Sequence, residues 1–201
     1  MTSRGPDTAL CAIRKYYKRV APIYDATRLF FLFDRKLIID LLNLQPGDSV
    51  LEIGSGTGSN LPYIYRAVGP SGDITGLDFS PEMLAIARRR ICRQGLRNVQ
   101  LIQADAEDYN LERRFQAVLF SYSLSMMPRQ DQALDVAHLH LDTGGKVGVL
   151  DFGNFNRWGV LSNLLSTLLA KHGVMPIEIS RLDRNMSHSR VLQRRGATIS
   201  L

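Results

Sequence analysis

Ser49-Val50-Leu51-Glu52-Ile53-Gly54-Ser55-Gly56-Thr57-Gly58 is the stretch whose reading decides the fold of this chain. Val50, Leu51 and Ile53 make a short apolar run of the kind that forms a buried strand. Three glycines at alternate positions follow, and without a Cβ the backbone there can turn tightly and approach a ligand closely. A helix beginning soon afterwards would aim its free N–H groups at that ligand. Glu52 stands two residues before the first glycine. A nucleoside-like ligand at the carboxyl end of a first strand is the expectation.

Working outward, short apolar runs alternate with helix-compatible segments. The strand candidates are 49–53, 73–79, 99–104, 117–122 and 146–152. Between the second and third, Ser80 suits an N-cap, Pro81 the first helical position and Glu82 the first turn. This alternation predicts an α/β fold with a doubly wound, mostly parallel sheet and helices on both faces. Upstream, Leu29, Phe30, Phe33, Leu37, Ile38, Leu41 and Leu42 recur at helical spacing, and Pro46-Gly47 ends that region. The expected division is a helical cap over 1–46 and a ligand-binding domain over 47–201. Residues 179–195 read as helix and 197–201 as a strand, so the last strand pair of the sheet is expected to be incomplete.

The glycine spacing discriminates between ligands. A dinucleotide-binding turn has its third glycine where this chain has Ser59, whereas Gly58 comes one residue early. Glu52 would repel a pyrophosphate but suits a ligand bearing an ammonium and a sulfonium. Both features point away from NAD and towards S-adenosylmethionine. Asp78, twenty residues after Gly58, ends the second strand and would accept hydrogen bonds from ribose hydroxyls. Phe79 and Met83 would lie against the adenine, and Asp105 would accept from its amino group.

With these residues assembled, the chain resembles the class I S-adenosylmethionine-dependent methyltransferases. The resemblance is carried by Leu51–Gly58, Gly76–Leu84, Ala104-Asp105-Ala106 and the turn Asp142–Lys146, in order from about 45 to 152. It implies a Rossmann-like sheet of order 3-2-1-4-5-7-6 with an antiparallel seventh strand. It further implies S-adenosylmethionine as cofactor and S-adenosylhomocysteine as product. The cofactor set it implies is Tyr17, Glu52, Gly54, Ser55, Gly56, Thr57, Gly58, Asn60, Asp78, Phe79, Met83, Asp105, Ala106 and Ser121.

Two segments bear on the acceptor. Ala21-Pro22-Ile23-Tyr24-Asp25 is similar to an element of the quinone C-methyltransferases and small phospholipid N-methyltransferases, which brings Tyr24, and Tyr17 beside it, towards the methionyl end. Ser121-Tyr122-Ser123-Leu124-Ser125-Met126 looks closest to enzymes that methylate lipid head-group amines. The catalytic candidates are accordingly Tyr24, Ser121, Tyr122 and Ser123, whose hydroxyls would orient an amine for in-line displacement. The main expectation is a phospholipid or betaine-lipid head-group amine as acceptor. A quinone or other small-molecule C- or O-methyltransferase is the alternative. A non-catalytic S-adenosylmethionine-binding regulator and an RNA methyltransferase are the rivals from other classes.

Composition sets outer bounds. The chain has 201 residues, 45% hydrophobic and 22% charged, as in an ordinary globular domain. Its net charge of +6 favours anionic surfaces, and Trp158–Lys171 is apolar enough to lie on a bilayer. Peripheral contact with an anionic membrane is therefore expected alongside the small-molecule or head-group substrate. The basic residues are not interleaved with aromatics, so nucleic acid is not the expected partner. Cys11 and Cys92 lie far apart in no metal-ligand pattern, so no metal is expected and a reduced cytoplasmic setting fits. The four histidines read as surface or packing groups.

Overall fold

The computed structural model describes residues 35–152, 191–194 and 197–200. Seven strands make one sheet of order β3-β2-β1-β4-β5-β7-β6. They are β1 (Ser49–Ile53), β2 (Asp73–Asp78), β3 (Val99–Gln103), β4 (Phe115–Ser121), β5 (Leu141–Phe152), β6 (Val191–Arg194) and β7 (Ala197–Ser200). The first five pair in parallel, and β7 runs antiparallel to both β5 and β6. Four α-helices are described: α1 (Arg35–Leu42), α2 (Leu61–Val68), α3 (Pro81–Gln94) and α4 (Gln130–Leu139).

The end of the chain departs from expectation. Residues 191–194 are a strand instead of helix, and 197–200 pairs with them, so the strand pair is present. The register Arg194↔Ala197 leaves only two residues between the strands, the spacing of a tight hairpin. Over 191–194 the helical reading is outweighed by pairing with β7, which itself lies along β5.

Strand alternation sorts the sheet into two cores. Val50, Ile74, Ala117, Leu119 and Leu150 face one side, where Ile38, Ile39 and Leu42 of α1 and Leu61, Ile64 and Val68 of α2 cover them. Leu51, Ile53, Leu77, Val118, Phe120 and Val149 face the other, against Ala133, Leu134 and Ala137 of α4. Gly148 lets α1 come close to β5: a Cβ there would lie 3.1 Å from Leu42 Cδ2 and 3.3 Å from Ile38 Cδ1. This close seating brings Arg35, at the first turn of α1, to the carboxyl ends of the strands.

α3 forms as its sequence predicts. Ser80 Oγ accepts from the Met83 N–H at 3.3 Å, and Gly95 ends the helix in the left-handed conformation. The fixed start of α3 sets Met83 and Ala87 beneath the glycine turn.

Candidate functional site

The carboxyl ends of β1, β2 and β4 open into a pocket. The glycine turn forms its floor. Gly54 has φ 71° and lies so close to Ser123 that a Cβ would come within 2.4 Å of the Ser123 Cβ. No other residue fits there without displacing the loop after β4. Asp78 links the turn to β2: its Oδ2 accepts from the Gly56 N–H at 2.8 Å and its Oδ1 from the Ser80 N–H at 2.9 Å. Burial raises the Asp78 carboxyl, and the N–H groups of Ser80, Gly56 and Phe79 oppose that rise. With three N–H donors on its two oxygens, the carboxylate keeps acceptor capacity for a further donor. From α3, Arg90 Nη1 donates to Thr57 O at 3.0 Å and Ser59 Oγ at 2.9 Å.

Glu52 is 2% exposed. Its Oε1 accepts from Asn60 Nδ2 at 2.6 Å, while Oε2 has no partner. Burial pushes this carboxyl up to about 7, against the pull of the Asn60 hydrogen bond. Asn60 stands just before α2 but makes no side-chain cap there; its amide turns to Glu52 instead. Its Oδ1 accepts from Arg35 Nη1 at 3.4 Å. Arg35 is also buried, with its guanidinium 5.5 Å from the centroid of the Tyr122 ring and its Nε without a partner.

The loop after β4 closes the pocket. Tyr122 has φ 54°, a backbone conformation rare for a bulky side chain, and its N–H donates to Leu150 O. That turn sends the chain back beneath β1, where Ser123 Oγ donates to Ile53 O at 2.7 Å. The next residues form a short 3-10 turn, Leu124–Met126, and Ser125 N–H donates to Asp151 Oδ2 at 2.9 Å. Ser121 Oγ is buried and unpartnered in the pocket wall.

The pocket therefore gathers Glu52, Gly54, Ser55, Gly56, Thr57, Asp78, Phe79, Met83, Asp105, Ala106, Ser121, Tyr122 and Ser123, all picked out in the sequence. Gly58 shapes the turn from outside the lining, where a Cβ would meet Leu61 Cδ1 at 2.7 Å. Asn60 is not among the lining residues either and acts through Glu52. The hydroxyl proton of Ser123 is committed to β1, which makes this side chain a brace for the turn as well as part of the wall. Tyr17 and Tyr24 lie outside the described residues, as do Trp158–Lys171, His172 and His188. His140 packs as expected: its ring stacks on Tyr109 and its Nε2 accepts from the Leu111 N–H.

Sequence reading missed Arg35, Ser59, Glu107 and the wall Met126-Met127-Pro128. Arg35 did carry a signal, because spacing 35, 38, 39, 42 puts a charge on the buried stripe of α1. Glu107 carried none. Its two oxygens accept from Arg129 N–H at 2.6 Å and Arg129 Nε at 2.7 Å, tying the start of α4 to the exit of β3.

The residues fit S-adenosylmethionine. Glu52, a lining residue with one carboxylate oxygen unpartnered, suits an ammonium, and Asp78 keeps acceptor capacity for a ribose hydroxyl. The comparisons with known proteins agree. Residues 50–145 match a family described as a methyltransferase domain. Demethylmenaquinone methyltransferase of Lactobacillus johnsonii is 33% identical over 146 residues, covering 69% of this chain and 60% of its own length. The chain thus spans about three-fifths of the curated relatives it matches. The solved DhpI-SAH complex shares the fold at TM-score 0.72 and 22% identity, covering 99% of this chain and 97% of that one. Phosphoethanolamine N-methyltransferase 2 of Haemonchus contortus shares it at TM-score 0.69 and 20% identity, covering 80% and 38%. Residues 50–145 thus carry a methyltransferase domain, and the glycine turn and strand order give it the fold of the class I S-adenosylmethionine-dependent methyltransferases.

Proposed function

We propose that this chain methylates a ring carbon of a hydroxylated aromatic acceptor of the quinol type. The observation that carries the reading is the 33% identity to a demethylmenaquinone methyltransferase over 146 residues. It takes precedence over the head-group amine expected from the Ser121–Met126 segment, since the phosphoethanolamine enzyme shares the fold alone.

The wall after β4 supports an aromatic acceptor. Its lining residues Ser121, Tyr122, Ser123, Met126, Met127 and Pro128 carry no charge. Methionine thioethers and a tyrosine ring make favourable contacts with a flat apolar ring. Ser121 Oγ, unpartnered, would accept the hydrogen bond of a ring hydroxyl and so set which carbon faces the methyl donor.

The cofactor supplies a methyl group already activated on a sulfonium. Forming the ring C–CH3 bond would break the S–CH3 bond, leave S-adenosylhomocysteine and release the ring carbon's proton to solvent. The chain's own work is orientation, holding the acceptor carbon about 3–3.5 Å from that methyl. Asp78 would hold the ribose and Glu52 the ammonium. Residues 1–46 would form a cap over this pocket, a division supported by the seating of Arg35 of α1 in its wall. The net charge of +6 suits an acceptor that resides in an anionic membrane. Among the described residues no helix is long and apolar enough to cross one.

The test offers the chain methyl-labelled S-adenosylmethionine with three acceptors in separate reactions. These are a reduced prenylated naphthoquinone lacking its ring methyl, phosphatidylethanolamine vesicles, and no acceptor. A ring-methylated product by mass spectrometry is expected. Label on the head-group amine would replace this reading with the amine one. Saturable cofactor binding without label in any product would favour a regulatory protein.

A further inference from the structure

The wall Met126-Met127-Pro128 and the segment Asp105-Ala106-Glu107 follow different strands yet line the same pocket. Met126 and Met127 give their N–H groups to Ser123 O and Leu124 O within their own turn. Pro128 has no N–H to give. The next backbone donor is Arg129, and its N–H goes to Glu107 Oε1 at 2.6 Å. Its side chain turns the same way, with Nε donating to Glu107 Oε2 at 2.7 Å. A third bond comes from the first turn of α4, where Gln132 Nε2 donates to Glu107 O at 2.9 Å. On the cofactor side the Glu107 N–H donates to Asp105 Oδ1 at 2.9 Å.

We infer that Glu107, acting through Arg129, is a positioning residue that sets the wall Met126-Met127-Pro128 against the adenine edge of the cofactor site. The inference deepens the methyl transfer proposed above and rests on it for the identity of that wall. Glu107 is 2% exposed, whereas the Arg129 side chain is half exposed. A buried carboxylate needs its partner more than a half-exposed guanidinium does, so the pair holds Arg129 inward where the wall runs into α4. Two charge-assisted N–H donors on two oxygens fix direction as well as distance. An acid at this place also suits the N-terminus of α4, where Arg129 makes no side-chain cap of its own. The wall is thereby tied to the segment that carries Asp105. Acceptor and cofactor are registered against one another, and in-line transfer depends on that register.

Two variants break the pair from opposite ends. Glu107→Gln leaves one oxygen for both Arg129 donors, and Arg129→Gln alters a residue outside the pocket lining. Each should lower kcat/KM for the acceptor by about 10- to 100-fold, the cost of a small misplacement of the reacting carbon, while S-adenosylhomocysteine affinity by calorimetry stays near wild type. Arg129→Lys, which keeps the charge, should restore part of the rate. The double variant should be no worse than either single one, since both break one interaction. Carbon–proton spectra of the chain labelled at its methionine methyls supply a readout that needs no acceptor. Met126 and Met127 should shift in both variants, and Met83 on α3 should hold its place. Unmoved Met126 and Met127 signals with undiminished kcat/KM would overturn the inference. So would a loss confined to Glu107→Gln, the mark of direct ligand contact, or an equal loss of cofactor affinity, the mark of general support for the domain. A wild-type chain that methylates no quinol, with the methionine shifts as expected, would refute the proposed acceptor while supporting the strut.

Discussion

Replacing Glu52 by glutamine changes one buried charge and no volume. The structure gives the expected size of the effect. The carboxyl moves from its ordinary 4.5 to about 7 because burial disfavours the charged form. The Asn60 hydrogen bond and the Arg35 and Arg90 charges pull it down, while Asp78 pushes it further up. Below about pH 4.5 the group is protonated in both folded and unfolded chains and costs nothing. Between there and about 7 the folded chain holds the extra proton, so stability falls as pH rises. Above 7 the whole cost is present, about 3 kcal/mol from the separation of the two values. Glutamine keeps the acceptor for Asn60 Nδ2 and removes the charge. Urea unfolding of the ligand-free chain should therefore show Glu52→Gln gaining up to about 3 kcal/mol over wild type at pH 8, and almost nothing at pH 4.5. Ligand binding should move the opposite way, because an ammonium requires the ionised carboxylate. Wild-type affinity for S-adenosylhomocysteine should fall roughly eightfold from pH 7.5 to pH 6, tracking the ionised fraction of a group near 7. The variant should bind more weakly at pH 7.5 and lose that slope. A variant whose stability differs from wild type equally at pH 4.5 and pH 8, or which retains the slope, would refute the reasoning.

Asp78→Ala should lower S-adenosylmethionine affinity by about 1.5–3 kcal/mol in calorimetry, the range for losing hydrogen bonds to a charged group, and unchanged affinity would remove the acid from the site. Ser123→Ala should cost about 1 kcal/mol in unfolding free energy, because the buried Ile53 carbonyl loses its donor. Intact stability with lost turnover would assign that hydroxyl to the acceptor instead. Ser121→Ala should leave cofactor affinity and stability near wild type while raising the acceptor KM or lowering kcat; a chain indifferent to the change would take Ser121 out of the acceptor site. Gly148→Val should destabilise by about 1–3 kcal/mol through crowding against Ile38 and Leu42, and unfolding free energy unchanged by the substitution would show that α1 is not seated there.

The five-strand core was legible because its signals are local. Apolar runs, the Pro46-Gly47 turn and the Ser80-Pro81 cap each specify an element through neighbouring residues. The β6–β7 pair was not, because Val191–Arg194 is a strand through its pairing with β7, and β7 is itself held by β5, far off in sequence. In the site, Gly54–Gly58, Asp78 and Asp105 were found because strand ends carry ligands in this architecture. Arg35 and Glu107 were missed for a different reason. The place of Arg35 is decided by how α1 packs on β5, and that of Glu107 by how α4 meets the exit of β3. Asn60 was named in the sequence, but its hydrogen bond to Glu52 could be identified only once β1 and the start of α2 were set side by side.

The double engagement of Asp78 has a consequence for how this pocket can change. The same carboxylate that would receive the ribose also fastens the backbone of Gly56 to β2 before any ligand is present. Recognition and architecture therefore share one set of atoms. The turn is already shaped when the nucleoside arrives, so little ordering is left to occur on binding and contact energy translates into affinity. The pocket is correspondingly hard to re-engineer at this position. A longer, shorter or uncharged side chain at 78 alters the cradle and the contact together, so a switch of nucleoside preference must begin elsewhere, at Phe79, Met83 or Asp105.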